Sequence, residues 1–405
     1  MPADNELRHL LPRRPVRPYD PHSVGVVRRQ ALEFDFRLPL RSGAALESFR
    51  LAYETYGELN PARDNAILIC HALSGDSHVA GYYTDDPEEP AGWWDEAVGP
   101  GKMFDTERFF VICSNVIGGC RGSTGPASQA PDSKPYGSRF PLLTIADMVR
   151  AQTHLLDALG IQRLYAVAGG SMGGMQALQW SVDYPERVER VLFIASTPRS
   201  STQNIAFNEI GRQAIYADPY WQGGDYYHAG RKPDAGLAVA RMVGHITYMS
   251  EFSLEDKFGR RFQQGHDFQY HLTTEFAVES YLRYQGSKFV QRFDANSYLI
   301  ITKALDYFDI AYGYTSMADA LSRSQADYLV VSFSSDWLYT EAQARELVQA
   351  LQAVERPVEY HHVQASFGHD SFLVEVDTMN QIISHYLCRK SAVSGASETY
   401  HHERT

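Results

Sequence analysis

A serine flanked by glycines lies where a strand pattern gives way to a helix pattern. The apolar, β-prone run 164–168 is followed by the sequence GGSMG, with Ser171 at its centre, and then by a helix-forming segment. This is the G-x-S-x-G pattern of a nucleophile elbow, whose sharp turn lifts the serine hydroxyl out of a sheet and requires small neighbours. The backbone N–H of Met172 would face the oxyanion of a tetrahedral intermediate. An incidental serine in a glycine-rich turn is the alternative, but the flanking strand and helix favour Ser171 as a nucleophile.

A nucleophilic serine needs a base, and the base needs an acid that orients it. Asp336 follows the strand-like run 328–333, and His369 lies in the loop after the last strand-like run, 358–363. The chain order serine, aspartate, histidine, each just beyond a strand, is the order of the α/β-hydrolase arrangement. The sequence therefore predicts a catalytic triad in which His369 is the base and Asp336 orients it.

The second oxyanion donor is expected in the loop after an earlier strand. Residues 66–70 form an apolar, strand-like run, and the segment HALSG follows it directly. We predict the backbone N–H of Leu73, within that segment, as the donor that pairs with the N–H of Met172. The leucine side chain is expected to serve only in packing.

Composition excludes several classes of partner. The chain has 405 residues, of which 44% are hydrophobic and 21% charged, so it can bury a large core. Its net charge is −12 and it has no long basic run, which makes nucleic acid and anionic membranes improbable partners. No apolar run approaches the roughly 20 residues of a membrane span, and the N-terminal residues lack the apolar stretch of a secretory signal. We expect a cytoplasmic protein.

Neither a metal nor a bound cofactor is expected. His361 and His362 lie inside a strand pattern, and His401 and His402 lie in a polar tail without other ligands. The cysteines lack metal-binding spacing and suit reduced thiols of a cytoplasmic protein. They are Cys70, Cys113, Cys120 and Cys388.

Strand-like runs that alternate with helix patterns predict a mostly parallel sheet covered by helices. One such helix starts at Thr144, an N-cap with Asp147 three residues later. Between residues 195 and 328 the alternation stops for about 130 residues, far more than a β–α connection needs. This insertion is helix-like and rich in aromatic residues. We therefore predict an α/β-hydrolase fold divided as follows: an N-terminal arm (1–24), a first core part (25–199), a helical lid (200–322), a second core part (323–388) and a polar tail (389–405).

Several segments of the chain match one family closely. They are HALSGDSHVAG (71–81), GWWD (92–95), GGCRGSTGP (118–126), FPLLTIADMV (140–149), GGSMGGMQALQW (169–180), NIAFNE (204–209), RQAI (212–215), GHITY (244–248), YLRYQG (281–286), FDANSY (293–298) and GHDSFL (368–373). Together they resemble the homoserine O-acetyltransferases, α/β-hydrolase-type acyltransferases of methionine biosynthesis. The resemblance covers about residues 22–388 and includes lid segments that generic hydrolases lack.

The resemblance implies a ping-pong reaction. In that family the elbow serine takes an acyl group from acyl-CoA and passes it to the hydroxyl of homoserine, so acetyl-CoA enters as a co-substrate. The family arginine in RQAI corresponds to Arg212, which would clamp the carboxylate of the amino acid. The aspartate after the catalytic histidine corresponds to Asp370, which would pair with the ammonium group. Without the resemblance, a surface salt bridge for Arg212 and a helix cap for Asp370 are the simpler interpretations. The family is commonly homodimeric.

The acyl donor, the acceptor and the reaction class each have an alternative. Succinyltransferases of the family carry an arginine two residues after the triad aspartate, where this chain has Leu338. An aliphatic side chain cannot neutralise a second carboxylate, which favours acetyl-CoA. O-acylation of serine is an alternative, because one methylene is worth only about 1–3 kcal/mol in a pocket. Hydrolysis of the acyl-enzyme by water, as in an esterase, is the more distant alternative.

Overall fold

The fold is seen in a computed structural model, which describes residues 20–84, 86, 89–265, 267–270 and 272–389. The predicted arm (1–24) and tail (389–405) lie almost entirely outside these residues. In the described part of the chain, no helix combines the length and apolar character that crossing a membrane requires.

An eight-stranded sheet forms the centre of the molecule, and its order is β1-β4-β8-β5-β9-β10-β11-β12. Strands β1 and β4, and β4 and β8, pair antiparallel, and all the other pairs are parallel. The strands are β1 (Gln30–Phe34), β4 (Phe49–Tyr56), β5 (Ala66–Cys70), β8 (Phe110–Ser114), β9 (Ala166–Gly170), β10 (Arg190–Ile194), β11 (Asp327–Phe333) and β12 (Val358–Val363). Two small ribbons add β2 (Leu38–Pro39) with β3 (Ala45–Leu46), and β6 (Val98–Gly99) with β7 (Phe104–Asp105).

Helices cover both faces of this sheet. Side chains alternate between the faces, so that Leu68 and Val167 pack on one side while Ile67 and Ala168 pack on the other. The first side is covered by α1 (Ile145–Ala158), α2 (Met172–Asp183), α8 (Met317–Ser322) and α9 (Glu341–Ala353), and the second by α11 (Val376–Cys388). The predicted fold class is thereby confirmed.

Helix α1 illustrates how local sequence fixes an element. The Thr144 hydroxyl accepts from the N–H of Asp147, and the Asp147 carboxylate accepts from the N–H of Thr144 at 2.9 Å. This reciprocal capping box satisfies N–H groups that the first turn leaves free. Gly160 closes the other end with a φ of +73°, which suits a residue without a side chain.

Between β10 and β11 the chain leaves the sheet and forms a helical lid. The lid contains α3 (Thr202–Tyr216), α4 (Asp234–Tyr248), α5 (Glu251–Phe258), α6 (Ala277–Phe289) and α7 (Ala295–Asp306), and ends with α8 against the core. Helix α4 packs against α3 and α6 and also touches the turn Gly368–Asp370, which carries His369. The lid thus meets the carboxyl edge of the sheet where the predicted triad lies.

Candidate active site

Ser171 occupies a strained turn between β9 and α2. Its φ of 59° and ψ of −126° are unusual for a residue with a side chain, and such a conformation costs about 1–3 kcal/mol. The surroundings hold it in place: the N–H of Ser171 donates to the carbonyl of Ile194 at 3.0 Å, and its own carbonyl accepts from the Ser196 hydroxyl at 2.6 Å. The turn therefore keeps the side chain of Ser171 at the carboxyl edge of the sheet.

The glycines of this elbow are required by close backbone approach. A Cβ on Gly169 would lie 2.3 Å from the carbonyl carbon of Gly173, and a Cβ on Gly173 would lie 2.0 Å from the carbonyl oxygen of Cys70. No side chain can move to relieve these contacts, since all of the atoms belong to the backbone. The sequence pattern of the elbow is therefore a direct consequence of how tightly α2 packs on the sheet.

Asp336 and His369 meet beyond the ends of β11 and β12. The His369 Nδ1 lies 2.8 Å from Asp336 Oδ2, and both side chains are almost fully buried. The other carboxylate oxygen of Asp336 accepts from the N–H groups of Leu338 at 3.0 Å and Tyr339 at 2.9 Å. These bonds fix the carboxylate, so that Nδ1 of the imidazole carries a proton and Nε2 is free to accept one.

The charge of Asp336 acts strongly on His369. Burial disfavours the charged imidazolium, but the Asp336 carboxylate, through its charge and its hydrogen bond, raises the pKa of His369 above its ordinary value. Aromatic rings enclose the imidazole: Tyr339 at 5.1 Å, Phe372 at 5.7 Å and Tyr248 at 5.9 Å between ring centres. The site favours an imidazole that gains a proton during the reaction.

The loop with the predicted oxyanion donor is anchored by a neutral histidine. His71 Nε2 accepts from the N–H of Val116 at 3.1 Å, and Nδ1 lies 2.8 Å from the carbonyl of Ala72. Burial lowers the pKa of His71, which keeps the ring neutral with its proton on Nδ1. Because the next residue is Leu73, this contact fixes the peptide that carries the predicted donor.

A second set of buried polar contacts ties this loop to the elbow helix. The Gln176 amide on α2 donates to the carbonyl of His71 at 3.2 Å and accepts from Gln152 at 2.9 Å, and Gln152 in turn accepts from the Trp180 indole at 2.8 Å. Met172 is the first residue of α2, so its N–H has no partner in a preceding turn. The two predicted donors thus belong to elements that are bonded rigidly to one another.

A cavity of about 350 Å³ contains the serine and the histidine of the predicted triad. Ser171 and His369 line it from the sheet, Leu73 lines it from the anchored loop, and Asp370 lies beside His369. The rest of the wall comes from residues 72–93, from the loop after β8, from the lid and from the residues that follow the His369 turn: Ala72, Ser74, Gly75, Asp76, His78, Ala91, Trp93, Arg121, Arg241, Tyr248, Arg292, Phe372 and Leu373. A serine and a buried histidine–aspartate pair in a cavity between the sheet edge and the lid suit the formation of an acyl-enzyme.

Comparison with known proteins agrees with this geometry. The family model described as alpha/beta hydrolase fold matches residues 65–376. The homoserine O-acetyltransferase of Methanococcoides burtonii is 51% identical over 377 residues, covering 93% of this chain and 77% of that protein. The homoserine O-succinyltransferase of Aromatoleum aromaticum is 54% identical over 371 residues, covering 91% of this chain and 98% of that protein. The crystal structure of homoserine O-acetyltransferase from Bacillus anthracis superposes with a TM-score of 0.85 at 31% identity, covering 91% and 99% of the two chains.

The chain belongs to the homoserine O-acyltransferase family. It is an acyltransferase built on the α/β-hydrolase fold, as the resemblance implied. Acetyltransferases and succinyltransferases match it at nearly the same identity, so overall similarity does not separate the two acyl donors.

The structure does not bring Arg212 to the cavity of this acyltransferase. Its guanidinium is almost fully buried beneath α3, 2.7 Å from Asp306 and 2.9 Å from Glu209. Although burial acts against the charge, these carboxylates raise the pKa of Arg212 above its ordinary value. Its other terminal nitrogen, Nη1, is buried without a hydrogen-bond partner among the described residues. The clamp of the acceptor carboxylate at Arg212 stays a prediction.

Leu338 also lies apart from the described wall of the cavity. Its side chain is buried in the main hydrophobic core, its N–H donates to Asp336, and its carbonyl accepts from the Asn204 amide at 3.0 Å. The backbone of Leu338 thus supports the triad directly. An effect of its side chain on the acyl donor stays a prediction.

Sequence reasoning missed Arg241, whose guanidinium lines the cavity. It lies 4.8 Å from the centre of the Phe289 ring and 5.6 Å from that of Tyr248. Arg241, His245 and Tyr248 occupy positions i, i+4 and i+7 of α4, so they project from one face of the helix. That spacing was the available signal, but only the folded lid shows that this face is turned towards Ser171.

Asp370 is the predicted binding residue that the cavity does contain. Burial raises the pKa of Asp370, while the positive charges of His369, Arg241 and Lys257 act in the opposite direction. It forms no salt bridge with another residue of the described chain, so its carboxylate is available to a ligand in the cavity. Within the same described residues, no group of three histidine, cysteine or acidic side chains is placed to hold a metal ion.

Proposed function

We propose that this enzyme transfers an acetyl group from acetyl-CoA to the hydroxyl of L-homoserine through an acyl-Ser171 intermediate, giving O-acetyl-L-homoserine and CoA. The observation that carries the proposal is the pair of opposite, unbridged charges in the cavity. Arg241 suits the carboxylate of an amino acid, and Asp370 suits its ammonium group. Water as the acceptor needs neither group.

In the first half-reaction Ser171 attacks the thioester. His369 removes the hydroxyl proton of Ser171 as the Oγ–carbon bond forms, and the N–H groups of Leu73 and Met172 stabilise the oxyanion. When the tetrahedral intermediate collapses, the carbon–sulfur bond breaks and the departing thiolate takes the proton from the imidazolium. Asp336 stabilises the charged ring between these two steps, which agrees with its effect on the pKa of His369.

In the second half-reaction the acceptor takes the place of CoA. His369 removes the proton of the homoserine hydroxyl, whose oxygen attacks the acyl carbon. The bond to Ser171 Oγ then breaks, and the serine recovers its proton from His369. Transfer prevails over hydrolysis when the site holds the acceptor oxygen against the acyl carbon and excludes water. Anchoring both ends of the amino acid, at Arg241 and Asp370, provides that orientation.

Acetyl-CoA is the proposed donor because the residue two positions after Asp336 is uncharged. Leu338 cannot neutralise the carboxylate that a succinyl group would bring. O-succinyl transfer and serine as acceptor are the competing assignments within the same mechanism. No cofactor is required, since the acyl-CoA is itself a substrate.

The test is CoA release by the purified enzyme, with acetyl-CoA or succinyl-CoA, and with L-homoserine, L-serine or no acceptor. We expect rapid thiol release only with acetyl-CoA and homoserine together. Preference for succinyl-CoA or serine would keep the triad and replace the specificity assignment. Equal release without an acceptor would indicate an ester hydrolase and would remove the role given to Arg241 and Asp370.

We further propose a cytoplasmic homodimer that pairs through the lid. All four cysteines are free thiols, as suits a reducing compartment. Large apolar side chains are exposed on α3, α4 and α5, including Ile210 at 52% and Phe252 at 66% exposure. Light scattering after gel filtration should give twice the mass of one chain, and replacing Ile210 or Phe252 by Glu should yield monomers.

A further inference from the structure

The lid is fastened to the loop of Asp336 by one side chain. Trp337 directly follows Asp336, and its indole Nε1 donates to the carbonyl of Met249 at 3.0 Å. Its ring also packs edge-on against Phe207 of α3, with 5.6 Å between the ring centres and 87° between the planes. Met249 lies in the short link between α4 and α5. Trp337 therefore ties the loop of the triad aspartate to two parts of the lid.

The same link rests on the turn that carries His369. A Cβ on Gly368 would lie 2.5 Å from the backbone nitrogen of Ser250 and 2.7 Å from the carbonyl carbon of Met249. The two backbones are thus in direct contact, and the Ser250 hydroxyl donates to the carbonyl of Ser366 in the loop before the turn. These contacts form the lid joint, which consists of Met249, Ser250, Trp337 and Gly368.

The lid joint separates the active-site cavity from a second cavity. Tyr248 lines the first and lies 5.9 Å from His369 between ring centres, whereas Met249, the next residue, lines the second. None of the described residues lines both. The second cavity has a volume of about 610 Å³ and reaches the surface at Phe252, which is 66% exposed. Since a water molecule occupies roughly 30 Å³, the joint stands between a space that water can fill and the catalytic histidine.

Water competes with the amino acid for the same acyl-enzyme. With a water molecule at the acyl carbon, His369 would remove one of its protons and the oxygen would bond to the carbon. Ser171 would then leave and recover its proton from His369. The products would be acetate and free enzyme, in place of the acetylated amino acid. A site that holds the amino acid and excludes water favours transfer.

We propose that Trp337 determines whether the acyl-enzyme reacts with the amino acid or with water. Its indole holds the lid joint closed, so that the second cavity does not open towards His369. This inference rests on the proposed function, because a transferase must keep water from its acyl-enzyme. Trp337 does not line the active-site cavity. It is a positioning residue, which acts through Met249 on the wall of that cavity.

The experiment measures how the acyl-enzyme divides between its two acceptors. Wild-type enzyme and Trp337→Phe are supplied with acetyl-CoA and saturating homoserine. Total CoA is measured as free thiol and O-acetylhomoserine by mass spectrometry, and the excess of CoA over the ester gives the hydrolysis. Trp337→Phe keeps an aromatic ring against Phe207 but loses the N–H that binds Met249.

In Trp337→Phe we expect the ratio of hydrolysis to transfer to rise about threefold to tenfold, the value of one hydrogen bond. CoA release without homoserine should rise by a similar factor. The rate of acylation, measured in the first turnover, should stay near that of the wild type, because the triad itself is unchanged.

The ratio distinguishes positioning from a loss of folded protein. Both products come from the same acyl-enzyme, so a smaller fraction of active molecules lowers both amounts and leaves their ratio unchanged. Ser250→Ala opens the lid joint from its other side, because it removes the hydroxyl that binds the carbonyl of Ser366. It should raise the ratio of hydrolysis to transfer as Trp337→Phe does.

Trp221→Phe is the matched control. Trp221 lies in the lid, and its indole Nε1 likewise donates a hydrogen bond, to Asn296 Oδ1 at 3.2 Å. Its ring also packs against an aromatic neighbour, Tyr216, with 4.7 Å between the ring centres. It lines neither of the two cavities. The same substitution there should leave the ratio of hydrolysis to transfer at its wild-type value.

Three results would overturn the inference. An unchanged ratio in both Trp337→Phe and Ser250→Ala would show that the lid joint does not keep water from the acyl-enzyme. An equal rise in Trp221→Phe would show that any loosening of the lid has this effect. Slower acylation with an unchanged ratio would show that Trp337 acts on Asp336.

The wild-type enzyme separately decides the proposed function. If it releases CoA equally well without homoserine, both that function and the inference are refuted. If it transfers the acetyl group and the ratio does not change in the variants of the lid joint, the inference alone is refuted.

Discussion

The sheet edge and the lid both face the cavity, but they hold their polar groups differently. At the sheet edge two groups next to Ser171 have fixed partners: Asp336 binds His369 and two backbone N–H groups, and His71 binds Val116 and Ala72. In the lid, Arg241 and Arg292 face the cavity with no salt bridge to any described residue. The comparison indicates that the catalytic groups at the sheet edge hold their positions before substrate binds. The lid arginines gain a charge partner only when substrate binds.

The largest effect is expected from removing the nucleophile. Ser171→Ala should lower kcat by about 10⁴-fold or more, because no acyl-enzyme can form. Rapid-quench detection of acylated protein by mass spectrometry checks this directly. Homoserine should still bind, since Arg241 and Asp370 remain. Acylation of the variant by acetyl-CoA would contradict the role of Ser171.

Replacing Asp336 by Asn tests the organisation of the sheet edge. The loss in kcat should be about 10³–10⁴-fold, as the imidazolium loses its charge partner. The wild-type rate should rise with pH through a midpoint above about 6.5, the ordinary value for histidine, because the raised pKa of His369 keeps the base protonated to higher pH. In Asp336→Asn only the charge of Asp370 still opposes burial, so the midpoint should move to lower pH. A pH profile of acylation measures both shifts, and an unmoved midpoint would refute this account of His369.

Replacing Arg241 by Ala tests recognition by the lid. We expect KM for homoserine to rise about 10- to 100-fold, as a charge-assisted contact is lost. The rate of CoA release in the first half-reaction should change little. Steady-state kinetics with each substrate varied in turn separates the KM for homoserine from the rate of the first half-reaction. A lower acylation rate with an unchanged KM for homoserine would assign Arg241 to the acylation step and not to acceptor binding.

Replacing Arg212 by Ala should affect both stability and recognition. The variant leaves Asp306 buried with only Lys303, at 3.8 Å, as a cation, and breaking a buried ion pair costs up to about 3–5 kcal/mol. Thermal unfolding should show a lower Tm, and steady-state kinetics should show a higher KM for homoserine. An unchanged KM for homoserine would refute the clamp that the sequence predicted at Arg212.

The smallest effect is expected at Leu338. Leu338→Arg should shift the ratio of kcat/KM for succinyl-CoA over acetyl-CoA by about tenfold, the value of a single modest charged contact. Because the wild-type side chain packs in the core, Leu338→Met serves as a control for repacking. No change in the donor ratio would place donor selection elsewhere in the cavity wall.

The sequence by itself determined which residues lie at the carboxyl edge of the sheet. The elbow glycines, the strand runs before Asp336 and His369 and the capping box at Thr144 are local patterns, and each follows from short-range geometry that neighbouring residues impose. Parallel strands then bring their carboxyl ends to one edge whatever the rest of the chain does. This is why the predicted fold class is confirmed and why the positions of Ser171, Asp336 and His369 at this edge could be predicted, while their catalytic roles stay predictions.

Only the tertiary structure decided which arginines of the lid pair with a carboxylate of the protein and which face the cavity. Arg212 and Arg241 are both arginines on amphipathic helices, and nothing local distinguishes a guanidinium that binds Asp306 from one that faces Ser171. The distinction arises because α4 packs against both α3 and α6 and turns one face to the turn of His369. Long-range packing sets which charges are neutralised inside the protein and which remain for a substrate, and no spacing along the chain records that outcome.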